Sequence, residues 1–364
     1  MKFGLFYEMA VSPDDPHAEA RIVRQTVDQI VHADRHGFDY VWLSEHHFLQ
    51  GFSHMSAPEV IFGAAAYQTQ HIRFGFGLAL TPPAYNHPVR VAEKVAMLDC
   101  LSDGRVDLGS GRSTTPAELY GFGLDPEQSR AQWDEGLEAV VHCLAYDPVS
   151  FDGEYVNIPS RTVVPRPVQT PHPPLWVGGV GPGNAERAAA KGLGMLFFAQ
   201  SVDYELLKAS TEAYYANIDN AQPIAGVVNK QTAGFINGLC SHDRDAIRQL
   251  AVQKVVDHTL HGSEHMLNGW PDGKPSPSFE HLNSGVTKMV NDLIKTDRHA
   301  LETMMTEGGF VMAGNPDDCA TVFDAFAKSD VDQVIIHMQM GDTPHDRIME
   351  SIELIGNELI PSYR

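Results

Sequence analysis

Residues 40–48 read Tyr-Val-Trp-Leu-Ser-Glu-His-His-Phe. The apolar run has the composition of a strand buried on both faces. It ends in a carboxylate, two imidazoles and an aromatic ring, and such polar groups cost stability unless they are paired or solvated. In parallel α/β proteins the carboxyl ends of strands are where reaction centres are assembled. The stretch therefore predicts a fold and a reaction centre together.

Strands and helices alternate outward from it. Strands are expected at Lys2–Met9, Tyr40–His47, Ile72–Leu80, Val106–Arg112, Leu175–Val180, Met195–Gln200, Thr232–Ser241 and Gln333–Met340. Helices are expected at Ala18–His36, Ala57–Thr69, Pro88–Cys100, Ser129–Ala145, Asn184–Lys191, Tyr204–Ile218, Asp243–His258 and Pro344–Leu359, several of them with apolar residues on one stripe. Short strands at Val149–Ile158 and Thr162–Val168 interrupt the rhythm. Eight alternations fit a (β/α)8 TIM barrel in a single domain, 1–364. An open doubly wound sheet usually carries a glycine-rich fingerprint after its first strand, and the segment after Met9 has none. Gly262–Gly285 breaks the pattern with three prolines and two large aromatics, Trp270 and Phe279. It reads either as part of a lid insertion, about 262–306, or as a surface insert.

The chain has 364 residues, enough for a large core. Its formal charge of −21 excludes nucleic acids and anionic membranes as partners. No apolar run is long enough to span a bilayer. Glu8 interrupts the apolar start and no small-residue cleavage site follows it, so the chain reads as a cytoplasmic enzyme. Cys100, Cys143, Cys240 and Cys319 are scattered, which suggests buried free thiols rather than a disulfide framework or a zinc knuckle.

Gly75-Phe76-Gly77-Leu78 places glycines inside a strand, for a flat ligand to approach or for close packing. Gly109-Ser110-Gly111-Arg112 ends the fourth strand in a guanidinium suited to phosphate, and Arg130 follows. Val180-Gly181-Pro182-Gly183-Asn184 opens a helix, where free N–H groups bind anions. Together these make a candidate phosphate cradle. His46 and His47 are adjacent and point to opposite sides of a strand, so they do not share a metal; no metal ligand is assigned.

The chain resembles the bacterial luciferase-like flavin monooxygenases. The resemblance rests on Met1-Lys2-Phe3-Gly4, Gly37-Phe38-Asp39-Tyr40-Val41-Trp42, Glu45-His46-His47-Phe48, His87-Pro88-Val89-Arg90, Leu101-Ser102-Asp103-Gly104-Arg105, Phe122-Gly123-Leu124-Asp125 with Ser129-Arg130, and Ile360-Pro361. It runs over almost the whole chain. It implies a luciferase-like TIM barrel that uses reduced FMN, supplied by a separate flavin reductase. O2 would then oxygenate a small organic substrate such as an aldehyde or ketone through a C4a-peroxyflavin. It implies His46 as the catalytic histidine, neutral near pH 7 and acting as base or hydrogen-bond partner, with Glu45 orienting it or lining the pocket. Gly77-Leu78 falls where the family often has a non-prolyl cis peptide beside the isoalloxazine. Arg112 and Arg130 fall on phosphate-binding arginines, and Val180, Gly181 and Asn184 on the phosphate turn. Luciferase has a glutamate and a serine at Val180 and Gly181, so only backbone contacts carry over there. Its cysteine near the flavin is matched by Gly111, which leaves room for a different substrate and argues against light emission. A homodimer through the second and third helices is implied, with Gly63, Ala64, Ala65 and Ala66 allowing close approach. A deazaflavin F420-dependent oxidoreductase on the same barrel and a non-catalytic flavin-binding protein are the alternatives. A metal-dependent barrel hydrolase is a third.

Overall fold

Eight parallel strands close into a barrel in the computed structural model, which describes residues 1–12, 15–198, 203–283 and 285–364. In chain order the strands are β1 (Lys2–Tyr7), β2 (Tyr40–Leu43), β3 (Arg73–Leu80), β4 (Val106–Gly111), β5 (Val149–Asp152), β6 (Asn157–Arg161), β7 (Leu175–Gly179), β8 (Gly194–Phe197), β9 (Thr232–Cys240), β10 (Val311–Gly314) and β11 (Gln333–His337). The ring runs β1-β2-β3-β4-β7-β8-β9-β11, and β11 pairs back to β1. These are the eight strands expected from the sequence. β10 was not expected; it pairs with the far end of β9, Val311 opposite Asn237.

The expected strands run too far at their carboxyl ends. β2 stops at Leu43 because the chain then leaves the sheet: Ser44 N–H makes the last bond to β1, at Tyr7 O, and His46 N–H donates instead to Met55 O. Met195–Gln200 is a strand to Phe197, and its last two residues lie outside the described residues. Val149–Ile158 divides into β5 and part of β6, an antiparallel pair, and Thr162–Val168 is not a strand. Pro165 and Pro167 remove two ladder donors from that segment. The expected helix Asp243–His258 extends as Arg244–Leu267 into the anticipated insert. The insert is then largely helical, with Gly285–Thr296 and Arg298–Glu307. Cys143, Cys240 and Cys319 are buried, whereas Cys100 is exposed on the last turn of its helix. Among the described residues no helix is long and apolar enough to cross a membrane.

The barrel interior is filled by Tyr40, Trp42, Trp176, Leu196, Ala233 and Ile335, with Phe6 above them. The Trp42 and Trp176 rings meet edge to face at 5.2 Å. Such bulk requires glycine opposite it. A Cβ on Gly75 would lie 2.2 Å from the Trp42 ring, one on Gly77 3.2 Å from Trp42 Cβ, and one on Gly194 2.6 Å from Trp176. The β3 glycines therefore make room for Trp42.

Gly75→Ala should destabilise the fold by about 1–3 kcal/mol or more through overpacking. Gly63→Ala, where nothing lies within 4 Å of the added carbon, should be neutral or stabilising by up to about 1 kcal/mol. Urea denaturation of both variants checks this, and equal midpoints would contradict the packing account.

Candidate active site

The carboxyl ends of β1 and β2 bring Glu8, Glu45, His46 and His47 to one rim, and Glu118 reaches it from a helix after β4, Pro116–Gly121. Thr115 caps that helix, its hydroxyl accepting from Glu118 N–H. The Glu118 side chain is fully buried. It accepts from the Ser113 and Thr115 hydroxyls, both at 2.6 Å, and from His47 N–H at 3.0 Å. The Nδ1 of His46 lies 3.0 Å from Glu118 Oε1, and its Nε2 lies 3.7 Å from Glu8 Oε1.

This geometry sets the charge of His46. Burial pushes its pKa down, but Glu118 at hydrogen-bond distance, with Glu8 and Glu45, outweighs that and raises it to about 9. Burial likewise pushes Glu118 up, and His46, Ser113 and Thr115 outweigh it, bringing it to about 2. His46 is therefore an imidazolium at neutral pH, not the neutral ring expected. In that state it donates rather than abstracts a proton.

Glu45 does not hold His46. Its buried carboxylate accepts from Leu80 N–H at 2.9 Å and from the Asn86 amide at 2.8 Å, and lies 3.4 Å from His47 Nε2. It ties the end of β3 to the rim. The two histidines do face different partners, as expected. Glu118, the group that orients His46, was missed; the Thr115-x-x-Glu118 capping spacing was its one trace in the sequence.

The Gly77–Leu78 peptide is cis, and the β3–β4 register shifts between Phe76 and Ala79. Leu78 turns onto a bed of glycines: a Cβ on Gly109, Gly111 or Gly178 would lie 2.8, 2.9 or 3.0 Å from its side chain. The space at Gly111 is thus taken by Leu78 and is not left for substrate. Leu78, Phe198 and Phe235 are partly exposed above the buried interior.

The cradle residues follow adjacent strands, since Ser110 on β4 pairs with Val177 on β7. Arg112 donates to the Ser129 hydroxyl at 2.7 Å and to Ser278 O at 3.2 Å, and stacks 4.3 Å from the Phe279 ring. Burial, then the neighbouring Arg130 charge, lower its pKa to about 10, so it stays cationic at neutral pH. Arg130 is exposed. Gly181 has φ +82° and open space where a Cβ would stand. The Asn184 amide donates to Val180 O at 2.7 Å, which fixes the turn at the head of the helix Pro182–Ala190. Two guanidinium groups and an open glycine turn fit a phosphomonoester.

The sequence matches the profile of the luciferase-like monooxygenases over residues 1–333. The chain belongs to that family. It is 29% identical over 194 residues to the oxygenase component of a flavin-dependent trigonelline monooxygenase from Acinetobacter baylyi, 53% of this chain and 52% of the relative. The matched region spans about half the length of the first curated relatives. The oxygenating constituent of 3,6-diketocamphane monooxygenase from Pseudomonas putida, solved with FMN, superposes with a TM-score of 0.74 at 18% identity, covering 99% of this chain and 98% of its own. The F420-dependent tetrahydromethanopterin reductase of Methanopyrus kandleri superposes at 0.72 and 22% identity, covering 100% and 99%. Structures that share this barrel thus include an FMN-bound monooxygenase component and an F420-dependent reductase.

The His46–Glu118 pair sets a stability window. The Glu118 contribution is present above the ordinary carboxylate value of 4.5 and is lost as pH falls toward about 2. The His46 contribution is present below 6.5 and is lost as pH rises through about 9. Glu118→Gln should therefore destabilise by up to about 3 kcal/mol near pH 6. The deficit should shrink by pH 9.5, and the His46 pKa should fall. Urea melts at the two pH values and an NMR titration of the His46 ring measure both; an unmoved His46 titration would refute the pairing.

Proposed function

We propose that this chain is the oxygenase of a two-component, FMNH2-dependent monooxygenase acting on a small organic substrate, an aldehyde, ketone or similar compound. The observation that carries the reading is one rim that combines two arginines and an open glycine turn with a histidine paired to a buried glutamate. Reduced FMN is held by Arg112, Arg130 and the backbone of Val180, Gly181 and Asn184, with its ring beside Gly77, Leu78 and Gly111. When bound, it supplies electrons to O2 for oxygen insertion. A separate reductase delivers it, and the compartment is the cytoplasm.

The chain's own residues do the rest. His46 offers a proton at Nε2 or Nδ1, with Glu118 fixing the ring and Glu8 holding the charge. Glu45 acts as a positioning residue through β3 and His47. The insert, about 262–306, acts as a lid, since Phe279 and Ser278 already rest on Arg112.

Exposed apolar side chains support a homodimer. Val60, Tyr67, Met97 and Leu101 are 65%, 87%, 60% and 50% exposed on or beside the helices Pro58–Ala66 and Pro88–Leu101. Ala65 and Ala66 are buried within the chain, so close approach is left to Gly63 and Ala64.

Under anaerobic conditions the protein should bind reduced FMN more tightly than F420. Arg112→Ala should weaken FMN at least ~10-fold, a loss of one charge-assisted contact, with little effect on riboflavin. Equal weakening of both would sink the cradle, and tighter F420 binding would favour the reductase class. Product mass spectrometry with FMN, a reductase and candidate ketones and aldehydes identifies the substrate. Tyr67→Lys combined with Met97→Lys should yield a monomer by light scattering; an unchanged mass would reject this dimer face.

A further inference from the structure

Beside His46 lies a second convergence of donor groups, of which the proposed oxygenation uses only Glu8. Glu8 follows β1, His337 ends the neighbouring β11, and His258 comes from the helix Arg244–Leu267 after β9. All three are buried, with exposures of 7%, 1% and 9%. One donor atom from each lies within 4.8 Å of the others. His258 Nε2 is 2.8 Å from Glu8 Oε2.

The hydrogen-bond pattern around His337 fixes its tautomer. The Asn237 amide nitrogen donates to Phe310 O at 3.5 Å, which turns its oxygen toward His337 Nδ1 at 3.1 Å. Nδ1 therefore carries the proton and Nε2 presents a lone pair. That Nε2 is buried and has no hydrogen-bond partner among the described residues. Leaving such an atom unsatisfied costs roughly 1–3 kcal/mol, so it asks for a ligand. A histidine whose far nitrogen is held by an amide or carboxylate oxygen is the usual arrangement around a metal. Phe52 stacks on His258 at 4.6 Å and Phe6 meets His337 edge-on at 5.4 Å, so both rings are braced.

Charge points the same way. Glu8, Glu45 and Glu118 are buried together, and among the described residues none has a lysine or arginine partner. Metal bonds of about 2.1 Å would place donors about 3.0–3.4 Å apart. The Glu8–His258 separation is already near that figure, so a modest inward turn of His337 completes the set.

We propose that Glu8, His258 and His337 bind a divalent first-row transition ion, of the zinc or ferrous class. Two imidazoles and one carboxylate suit those ions and not calcium or magnesium, which take oxygen donors. Water or an oxygen donor of a bound small molecule fills the remaining positions. The site shares Glu8 with His46 and stands independently of which flavin the cradle takes.

Cobalt is the probe. The full-length protein, stripped with chelator, should take up one Co2+ per chain with visible d–d absorption, and Zn2+ should displace it. His337→Gln should abolish that absorption. Asn237→Ala, which keeps all three ligands, should weaken uptake about 10–100-fold. Circular dichroism and a thermal melt establish that each variant is folded. If His337→Gln does not fold, the Asn237→Ala titration decides. Absence of a saturable first equivalent would overturn the proposal. So would unchanged uptake in Asn237→Ala, or in folded His337→Gln, because the ion would then sit on surface carboxylates.

Discussion

The rest of the molecule depends on how the barrel interior is filled. Trp42 and Trp176 lie in its centre, and the backbone must carry glycine wherever those rings press against it. The Trp176 indole donates to Asp107 at 2.9 Å, and Asp107 is held in turn by Arg73 at 2.6 Å, so the lower half is both packed and pinned. A core of such side chains cannot be a channel. Its top surface of Leu78, Phe198 and Phe235 becomes an apolar floor, and every polar group of the site is displaced to the rim above it. Glu45 then serves the packing by closing the end of β3.

On that rim the buried carboxylates are paired with imidazoles alone, His46, His47 and His258, among the described residues. For Glu8, His46 and Glu118 burial works against the charge, and close pairing outweighs it. Removing any one partner leaves another uncompensated. Under the proposed function this makes His46 a proton donor without requiring a lysine or arginine nearby. It also leaves Glu8 between two claims, His46 on one oxygen and His258 on the other.

Much of this was legible in the sequence. All eight ring strands could be read from apolar runs, because buried parallel strands are nearly continuous in composition. β10 escaped because four residues reading Val-Met-Ala-Gly give no periodic signal. The residues of the proposed cradle could be singled out because Arg112, Arg130 and Gly181 are local features of chain ends and turns. Glu118, His258 and His337 were not, because their meaning comes from elements 72 to 329 positions away from Glu8 or His46, and only closure of the barrel brings them together. Close packing, one of the two readings of the β3 glycines, holds at Gly75, whereas the room expected at Gly111 is filled. At Gly75, Gly109 and Gly111 the missing side chain is replaced by Trp42 or Leu78 from the chain itself.

The insert connects these layers. Trp270, Phe279 and Leu282 bury themselves with Leu119 and Leu124, so the segment rests on the same helix that carries Glu118. Ser278 is fastened to Glu127 through its N–H at 3.1 Å and its hydroxyl at 3.0 Å, while its carbonyl accepts from Arg112. Arg112 is thereby engaged from three sides, by Ser129, Ser278 and the Phe279 face. A guanidinium has five N–H donors, and the two hydrogen bonds leave others for an anion. Under the proposed function a cofactor phosphate and the insert are held by one side chain. Anything that draws Arg112 toward phosphate acts on Ser278 and Phe279, and by linkage the position of the insert acts back on phosphate affinity. The cradle and the lid are then two states of a single contact, and Glu118, which orients His46 from the same helix, lies in direct mechanical continuity with it.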